Sequence, residues 1–321
     1  MRFNPAQNWP VLPVAGPWRK AVLAAAAVIM TLPRLAHTTP DSAYYIALTC
    51  YFKGQAGRDE LVAPFAFRWV VPWLASWLPD TSPAMALALC SVIAFAGTAL
   101  CLDRLLRTLN APRAGANTGL LAFLLSFPAL NYGGAVLTDS AGMLVLAAAV
   151  CALVERRFLL LGLVLGAGAG VRETTLLMLP GLVLYLALER DKKGLLAAGP
   201  IVLATLMATG MPRWCLFELP AYGWQASWSR FTENLARPIS WTTVSLTLVP
   251  ILLVALPGLL RWREQASIVR HFVLALGLPG LALLSFSTTS AFMSGRFAWP
   301  LYLVLVPLVA FNRRVPQSAS G

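Results

Sequence analysis

Residues 37–78, HTTPDSAYYIALTCYFKGQAGRDELVAPFAFRWVVPWLASWL, lie between two long apolar segments of the chain. The stretch carries Asp41 directly after a proline, an aromatic run after it, and Arg68 inside an otherwise apolar run. Its second half, 64–79, is short and interrupted by prolines and an arginine, unlike a membrane-crossing helix. Counting 64–79 as a span would move every later loop to the other side of a membrane, so this stretch decides the topology.

The composition indicates a polytopic membrane protein. Of the 321 residues, 58% are hydrophobic and 12% are charged, and the charged share is about half that of a soluble domain. The mean hydropathy is +0.71, and apolar stretches of about 18 or more residues recur. The net charge of +12 would suggest nucleic acid in a soluble protein, but here it indicates basic cytoplasmic loops. We therefore expect membrane lipid as a partner and no nucleic acid.

Ten membrane spans are predicted, and the positive-inside rule supports them. The spans are 18–36, 83–102, 117–131, 135–154, 158–171, 174–189, 194–211, 241–260, 268–288 and 297–312. Two of these are short, 117–131 and 158–171, but omitting either would place later basic clusters outside. With both included, every basic cluster between spans, and Arg313 and Arg314 after the last, falls on the cytoplasmic side. We expect both termini in the cytoplasm and a retained first helix, since no signal-peptide cleavage site follows it.

Two long connections, 37–82 and 212–240, are the first and fourth loops on the outer side. The aromatic run after Asp41 recurs at helical spacing, so we expect an interfacial helix there and a second interfacial or re-entrant helix over 64–79. The 212–240 loop is rich in Trp and mixed charge, which is also typical of an aromatic belt at headgroup level. Cys50 and Cys215 lie on this predicted side, and the sequence does not decide whether they form a disulfide.

Two outer carboxylates are candidates for chemistry, each with a structural alternative. Asp41 could act as a general base that takes a proton from an acceptor hydroxyl, or it could cap the helix that follows. Asp139, in LTDSAG at the start of a predicted span, could position an acceptor or a metal, or could likewise be a helix cap.

Three arginines on the same side run against the positive-inside bias. Arg68 lies among aromatics and could hold a lipid phosphate, or its head could reach water by snorkelling. Arg172 lies with Glu173 at a predicted outer turn in GVRETTLLMLPG, where Glu173 or Thr174 could simply cap the turn. Arg296, in SGRFAWPLYLVLVP, begins the last span. Together the three arginines indicate an anionic ligand.

The common sequence motifs of soluble hydrolases and nucleotide-binding enzymes are missing from the sequence. There is no GxSxG, HExxH or Walker motif, and the cysteines have no metal-binding spacing. No soluble nucleotide-sugar or ATP site is therefore expected. Glu173, Tyr44 and Tyr45 join Asp139 as candidates to contact an acceptor or a divalent metal, whose requirement stays open.

The pattern resembles the GT-C superfamily of integral-membrane glycosyltransferases. Asp41 in PDSAYY looks like that family's catalytic Asp, and PFAFRWVVPWLASWL looks like the R-x-x-x-P segment of many bacterial members. Seven spans with long loops after the first and the seventh look like its shared transmembrane module. The GVRETTLLMLPGL and SGRFAWPLYLVLVP segments are similar to positions that hold the carrier phosphate. The chain departs from larger members in having no C-terminal soluble domain, and Ser42 replaces the second acidic residue of several branches.

The resemblance implies one integral-membrane domain over 1–321, an all-α polytopic bundle with a GT-C-like module over 1–240 and C-terminal spans over 241–321. It implies transfer of a sugar from a polyprenyl-phosphate donor to a glycan, lipid or protein acceptor, on the extracytoplasmic face of a bacterial-type plasma membrane. Asp41 would be the base, and Arg68, Arg172 and Arg296 would hold the donor phosphate. The alternatives are a transporter or flippase for a lipid-linked glycan, and an assembly partner with no site of its own.

Overall fold

A computed structural model describes residues 17–216, 218–222 and 226–311, and within these ranges the chain is helical, without a β-strand. The α-helices of the described residues are α1 Pro17–Thr31, α2 Ser42–Phe52, α3 Val70–Ser76, α4 Pro83–Thr108, α5 Arg113–Leu124, α6 Phe127–Tyr132, α7 Asp139–Val154, α8 Phe158–Ala169, α9 Met178–Leu188, α10 Lys192–Cys215, α11 Trp228–Ala236, α12 Pro238–Leu260, α13 Ser267–Ser290, α14 Gly295–Ala298 and α15 Tyr302–Ala310. The helical fold class is confirmed. Arg313, Arg314 and both termini lie outside the described residues, so their predicted side stays a prediction.

Four helices are long and apolar enough to cross a membrane: α4, α10, α12 and α13. Only 28%, 28% and 33% of the most apolar stretches of α10, α12 and α13 are buried inside the protein. Large apolar side chains on these helices therefore face outward, which suits lipid and not water. The described helices thus indicate a membrane protein. The count of ten spans stays a prediction, because the other apolar helices are shorter.

Prolines interrupt several of the predicted spans. The predicted span 117–131 is split into α5 and α6, because Pro128 lacks the N–H that a continuous helix needs and Ser126 caps α6 by accepting from the Ala129 N–H at 3.3 Å. Pro33 lies in the short 3₁₀ turn that follows α1, and Pro300 lies in the turn between α14 and α15.

The helix ends form two charged layers, and α7 connects them. Asp139 begins α7 and Glu155 follows its last residue. The helix has 16 residues and is therefore roughly 24 Å long at about 1.5 Å per residue. We call these layers the Asp41 end and the Glu155 end of the bundle. The Glu155 end gathers basic clusters that the positive-inside rule assigned to one side, through ion pairs such as Arg104–Glu155 and Arg156–Asp191.

The two long connections contact each other at the Asp41 end. The Ala63 N–H donates to the Pro220 carbonyl at 2.9 Å, and the Tyr222 N–H donates to the Ala63 carbonyl at 2.7 Å. The first connection contains α2 as expected. The run 64–79, however, is not one helix, because Arg68 has non-helical backbone angles and separates a 3₁₀ turn from α3.

The fourth connection contains α11, and parts of it lie outside the described residues. Cys50 and Cys215 are free thiols, so the disulfide considered between them is not formed.

α5 packs against α15 through two glycines spaced four residues apart, Gly115 and Gly119. Such spacing lets helix backbones approach closely in membranes. A Cβ added at Gly119 would lie 2.8 Å from the Val306 carbonyl oxygen, and one at Gly115 would lie even closer to the Ala310 carbonyl oxygen. The helices can therefore pack this closely only because both residues lack a side chain.

We expect Gly115→Ala to lower the free energy of unfolding by about 1–3 kcal/mol, because the backbone of α15 must move away. Thermal unfolding of the detergent-solubilised protein measures this effect. Gly166→Ala is the matched control, because a Cβ at Gly166 in α8 has no atom within 4 Å. Equal melting temperatures for the two variants would contradict the close α5–α15 contact.

Candidate functional site

Asp41 forms an ion pair with Arg296. Its Oδ2 lies 2.6 Å from an Arg296 guanidinium nitrogen, without the alignment of a full hydrogen bond. Asp41 occupies the N-cap position of α2, but its side chain makes no capping bond there. The helix-cap interpretation of Asp41 is therefore wrong for its side chain. The pair joins the first long connection to α14, from the opposite part of the chain.

Asp139 pairs in the same way with Arg172. Asp139 is the first residue of α7, and Thr138 at the N-cap position makes no side-chain capping bond. The Asp139 carboxylate instead contacts the Arg172 guanidinium, and both side chains are buried. The helix-cap interpretation fails here too. Removing one partner of a buried ion pair leaves the other charge uncompensated, which lowers the stability of the fold. Asp139 and Arg172 therefore each need the other to remain buried.

Arg68 is buried, with 3% of its surface exposed, so it does not snorkel to water. It donates to the Tyr45 hydroxyl at 2.6 Å and to Glu173 Oε2 at 2.8 Å. The Tyr45 hydroxyl also accepts from Thr138 Oγ1 at 3.3 Å. Tyr45 thus holds Arg68 beside the start of α7.

Glu173 links Arg68 to an arginine that the sequence reasoning missed. Arg213, in the last turn of α10, lies 3.4 Å from Glu173 Oε1. No side-chain capping bond forms at the start of the 3₁₀ turn Glu173–Leu177, so Glu173 serves as a charge partner. The signal was in the sequence: Arg213 is another basic residue at the outer end of a predicted span.

The three ion-paired groups lie in one cluster, the acid–arginine network, because Asp139, Arg172 and Arg296 line one cavity and Tyr45 joins Arg68 to Thr138, next to Asp139. Its members are Asp41, Arg68, Asp139, Arg172, Glu173, Arg213 and Arg296. Four arginines meet three carboxylates, so the network carries one excess positive charge. The scatter expected of an assembly partner without a site is not observed.

A cavity of about 20 Å³ lies within the network, lined by Asp139, Arg172 and Arg296 together with apolar side chains. Trp299 also lines it. Among the described residues, Asp139 Oδ2 and Trp299 Nε1 are buried without a hydrogen-bond partner. An acceptor and a donor therefore border one cavity that has room for about one water-sized group. A lipid-linked sugar does not fit there unless the ion pairs separate.

The residues predicted to contact an acceptor or a metal are in contact with other side chains of the protein. Tyr44 stacks on Phe65 with ring centroids 4.4 Å apart, so its ring packs at the edge of the first connection. Asp139 and Glu173 are both bound by arginine. Within residues 17–216, 218–222 and 226–311, no three His, Cys, Asp or Glu side chains gather where they could hold a metal ion.

Comparison with known proteins adds no family assignment. No protein-family model matches the chain, and no curated protein sequence is significantly similar to it.

Proposed function

We propose that this chain is an integral-membrane glycosyltransferase that uses a sugar linked to a polyprenyl phosphate. The observation that carries the proposal is the acid–arginine network, in which Asp41 pairs with Arg296, Asp139 with Arg172 and Glu173 with Arg68, each pair joining distant parts of the chain. Arginine binds phosphate with paired hydrogen bonds. The outward apolar faces of α12 and α13 suit a lipid carrier. The extracytoplasmic face, in a bacterial-type plasma membrane, follows from the predicted topology.

The ion pairs suggest how donor binding would prepare the base. Arg296 forms an ion pair with Asp41. A donor phosphate would take over Arg296 as its partner, and the carboxylate of Asp41 would then be free to accept a proton. Donor binding and base activation are thereby coupled through one guanidinium group. This coupling would keep the base inactive until the donor is present.

The transfer step follows from these roles. Asp41 accepts the proton of the acceptor hydroxyl while that oxygen bonds to the anomeric carbon. The bond between the anomeric carbon and the phosphate oxygen breaks, and its electron pair remains on the polyprenyl phosphate. Arg172 and Arg296 stabilise the charge that develops on this leaving group, which is the kind of electrostatic effect that dominates many enzymes. Arg68, which pairs with Glu173, adds a further positive charge to the site.

Binding of farnesyl phosphate, a short polyprenyl phosphate, tests the role of Arg296. We expect the detergent-solubilised protein to bind farnesyl phosphate more tightly than farnesol, which lacks the phosphate. Arg296→Gln should weaken farnesyl phosphate binding by about tenfold to a hundredfold, because one charge-assisted hydrogen-bonding group is lost. Farnesol binding should not change.

Arg58→Gln is the control for this experiment, because Arg58 is an exposed arginine of the first long connection and is not a member of the acid–arginine network. It should bind farnesyl phosphate like the unaltered protein. If Arg296→Gln and Arg58→Gln bind the phosphate equally well, Arg296 does not hold it and the proposed site is wrong.

A further inference from the structure

A second cavity opens at the Glu155 end of the bundle, opposite the acid–arginine network. It has a volume of about 390 Å³ and is lined by Lys20, Arg104, Arg107, Thr108 and Glu155. The volume falls within the range of about 300–1,000 Å³ that is usual for small-molecule sites. Its walls come from the start of α1 and the ends of α4 and α7. We call it the Lys20 cavity.

The two carboxylates at this cavity are each neutralised by two arginines. Asp103, which is buried and precedes Arg104 in α4, lies 2.8 Å from guanidinium nitrogens of both Arg19 and Arg107. Glu155 lies 2.5 Å from Arg104 and 3.1 Å from Arg157.

Glu155 carries its negative charge and offsets one of the positive charges around it. Hydrogen bonds from Arg104 hold the pKa of Glu155 below its usual range, so this carboxylate is ionised at neutral pH.

The remaining charge at the Lys20 cavity is strongly positive. Lys20, Arg104 and Arg107 line the cavity with one carboxylate, Glu155, which leaves an excess of two positive charges, and the neighbouring Arg19, Arg157 and Asp103 add one more. A guanidinium group has five N–H donors and uses one or two of them in an ion pair, so each arginine keeps donors for another anion. Lys20 is exposed and forms no ion pair with the described residues. An open, basic cavity of this kind is built to bind an anion.

We propose that the Lys20 cavity binds the phosphate headgroup of an anionic membrane phospholipid. Basic recesses between transmembrane helices are suited to such headgroups. The position of the cavity favours a lipid over a soluble anion, because α4, a helix long and apolar enough to cross a membrane, ends there with Arg104 and Arg107. The headgroup would contact these side chains and Lys20, and the acyl chains would lie along the apolar surface of the bundle. This inference does not depend on the proposed transferase activity.

Titration of the detergent-solubilised full chain with short-chain lipids tests the proposal. The probes are dioctanoyl phosphatidylglycerol, which is anionic, dioctanoyl phosphatidylcholine, which is zwitterionic, and inorganic phosphate. We expect saturable binding of the phosphatidylglycerol only. Lys20→Gln should weaken it about three- to tenfold, as loss of one basic residue near an anionic lipid does. Lys20→Gln with Arg104→Gln should weaken it further, while Arg157 still neutralises Glu155.

Lys193→Gln is the matched control, because Lys193 is an exposed lysine in the first turn of α10, outside the cavity. It should bind phosphatidylglycerol like the unaltered protein. Equal weakening by Lys20→Gln and Lys193→Gln would overturn the site, since attraction would then be general. Equal binding of phosphatidylcholine would overturn its anion specificity. Binding of inorganic phosphate as tight as that of the lipid would overturn the lipid as its occupant.

Discussion

Asp41→Asn is expected to reduce sugar transfer by about a hundredfold to ten-thousandfold, the range for loss of a general base. The amide has almost the shape of the carboxylate but does not accept the acceptor's proton. It also no longer pairs ionically with Arg296, which Asp41 contacts at 2.6 Å. Farnesyl phosphate should therefore bind Asp41→Asn at least as tightly as it binds the unaltered protein. Loss of turnover with retained or tighter phosphate binding is the signature of the proposed role.

The measurement uses membranes containing the protein, which supply the acceptor, and a panel of radiolabelled sugars linked to farnesyl phosphate. Incorporated label reports transfer. Asp80→Asn is the control, because Asp80 is an exposed aspartate of the same long connection as Asp41. Transfer that survives Asp41→Asn at the control rate would contradict the mechanism. Movement of the intact labelled donor across the membrane, insensitive to Asp41→Asn, would favour the flippase alternative.

Asp139→Asn is expected to cost about 3–5 kcal/mol of unfolding free energy, the range for breaking one side of a buried ion pair. Asp139 and Arg172 are 4% and 6% exposed, so the Arg172 charge would stay buried without its carboxylate. The cavity beside the pair has room for about one water-sized group, which is too little to solvate the guanidinium fully. Thermal or denaturant unfolding in detergent measures the loss, with Asp80→Asn again as the control.

The double variant Asp139→Asn with Arg172→Gln distinguishes a charge effect from simple loss of packing. Removing both charges takes away the uncompensated one, so the double variant should be more stable than Asp139→Asn alone. If the two single costs simply add, the carboxylate and the guanidinium do not depend on each other, and the network is not electrostatically coupled.

The positions of the helices could be predicted from sequence, because apolar runs and their charged ends are local features. The interruptions at Pro128 and Pro300 could not be predicted from proline alone, because α12 and α13 continue through Pro250, Pro257 and Pro279. The span count depends on a membrane and on short helices, and it stays a prediction beyond α4, α10, α12 and α13.

The partners of the charged residues could not be predicted, because they depend on tertiary contacts. Locally, Asp41 and Asp139 each precede or begin a helix, and capping is the usual role of such residues. Only the folded chain shows that arginines from other elements hold them. Arg68 likewise has a local alternative, snorkelling, which its burial excludes. The outer-side arginines were nevertheless identifiable as exceptions to the positive-inside rule, and Arg213 should have been included among them.

A structure of the protein with farnesyl phosphate bound, determined by cryo-electron microscopy, tests the central claim most directly. The proposal predicts that the phosphate lies between Arg172 and Arg296 and that Asp41 and Arg296, whose charged atoms are 2.6 Å apart in this structure, have separated. Asp41 should then face the open site. A phosphate bound elsewhere, or one bound while Asp41 still pairs with Arg296, would contradict the exchange of partners on which the proposed mechanism depends.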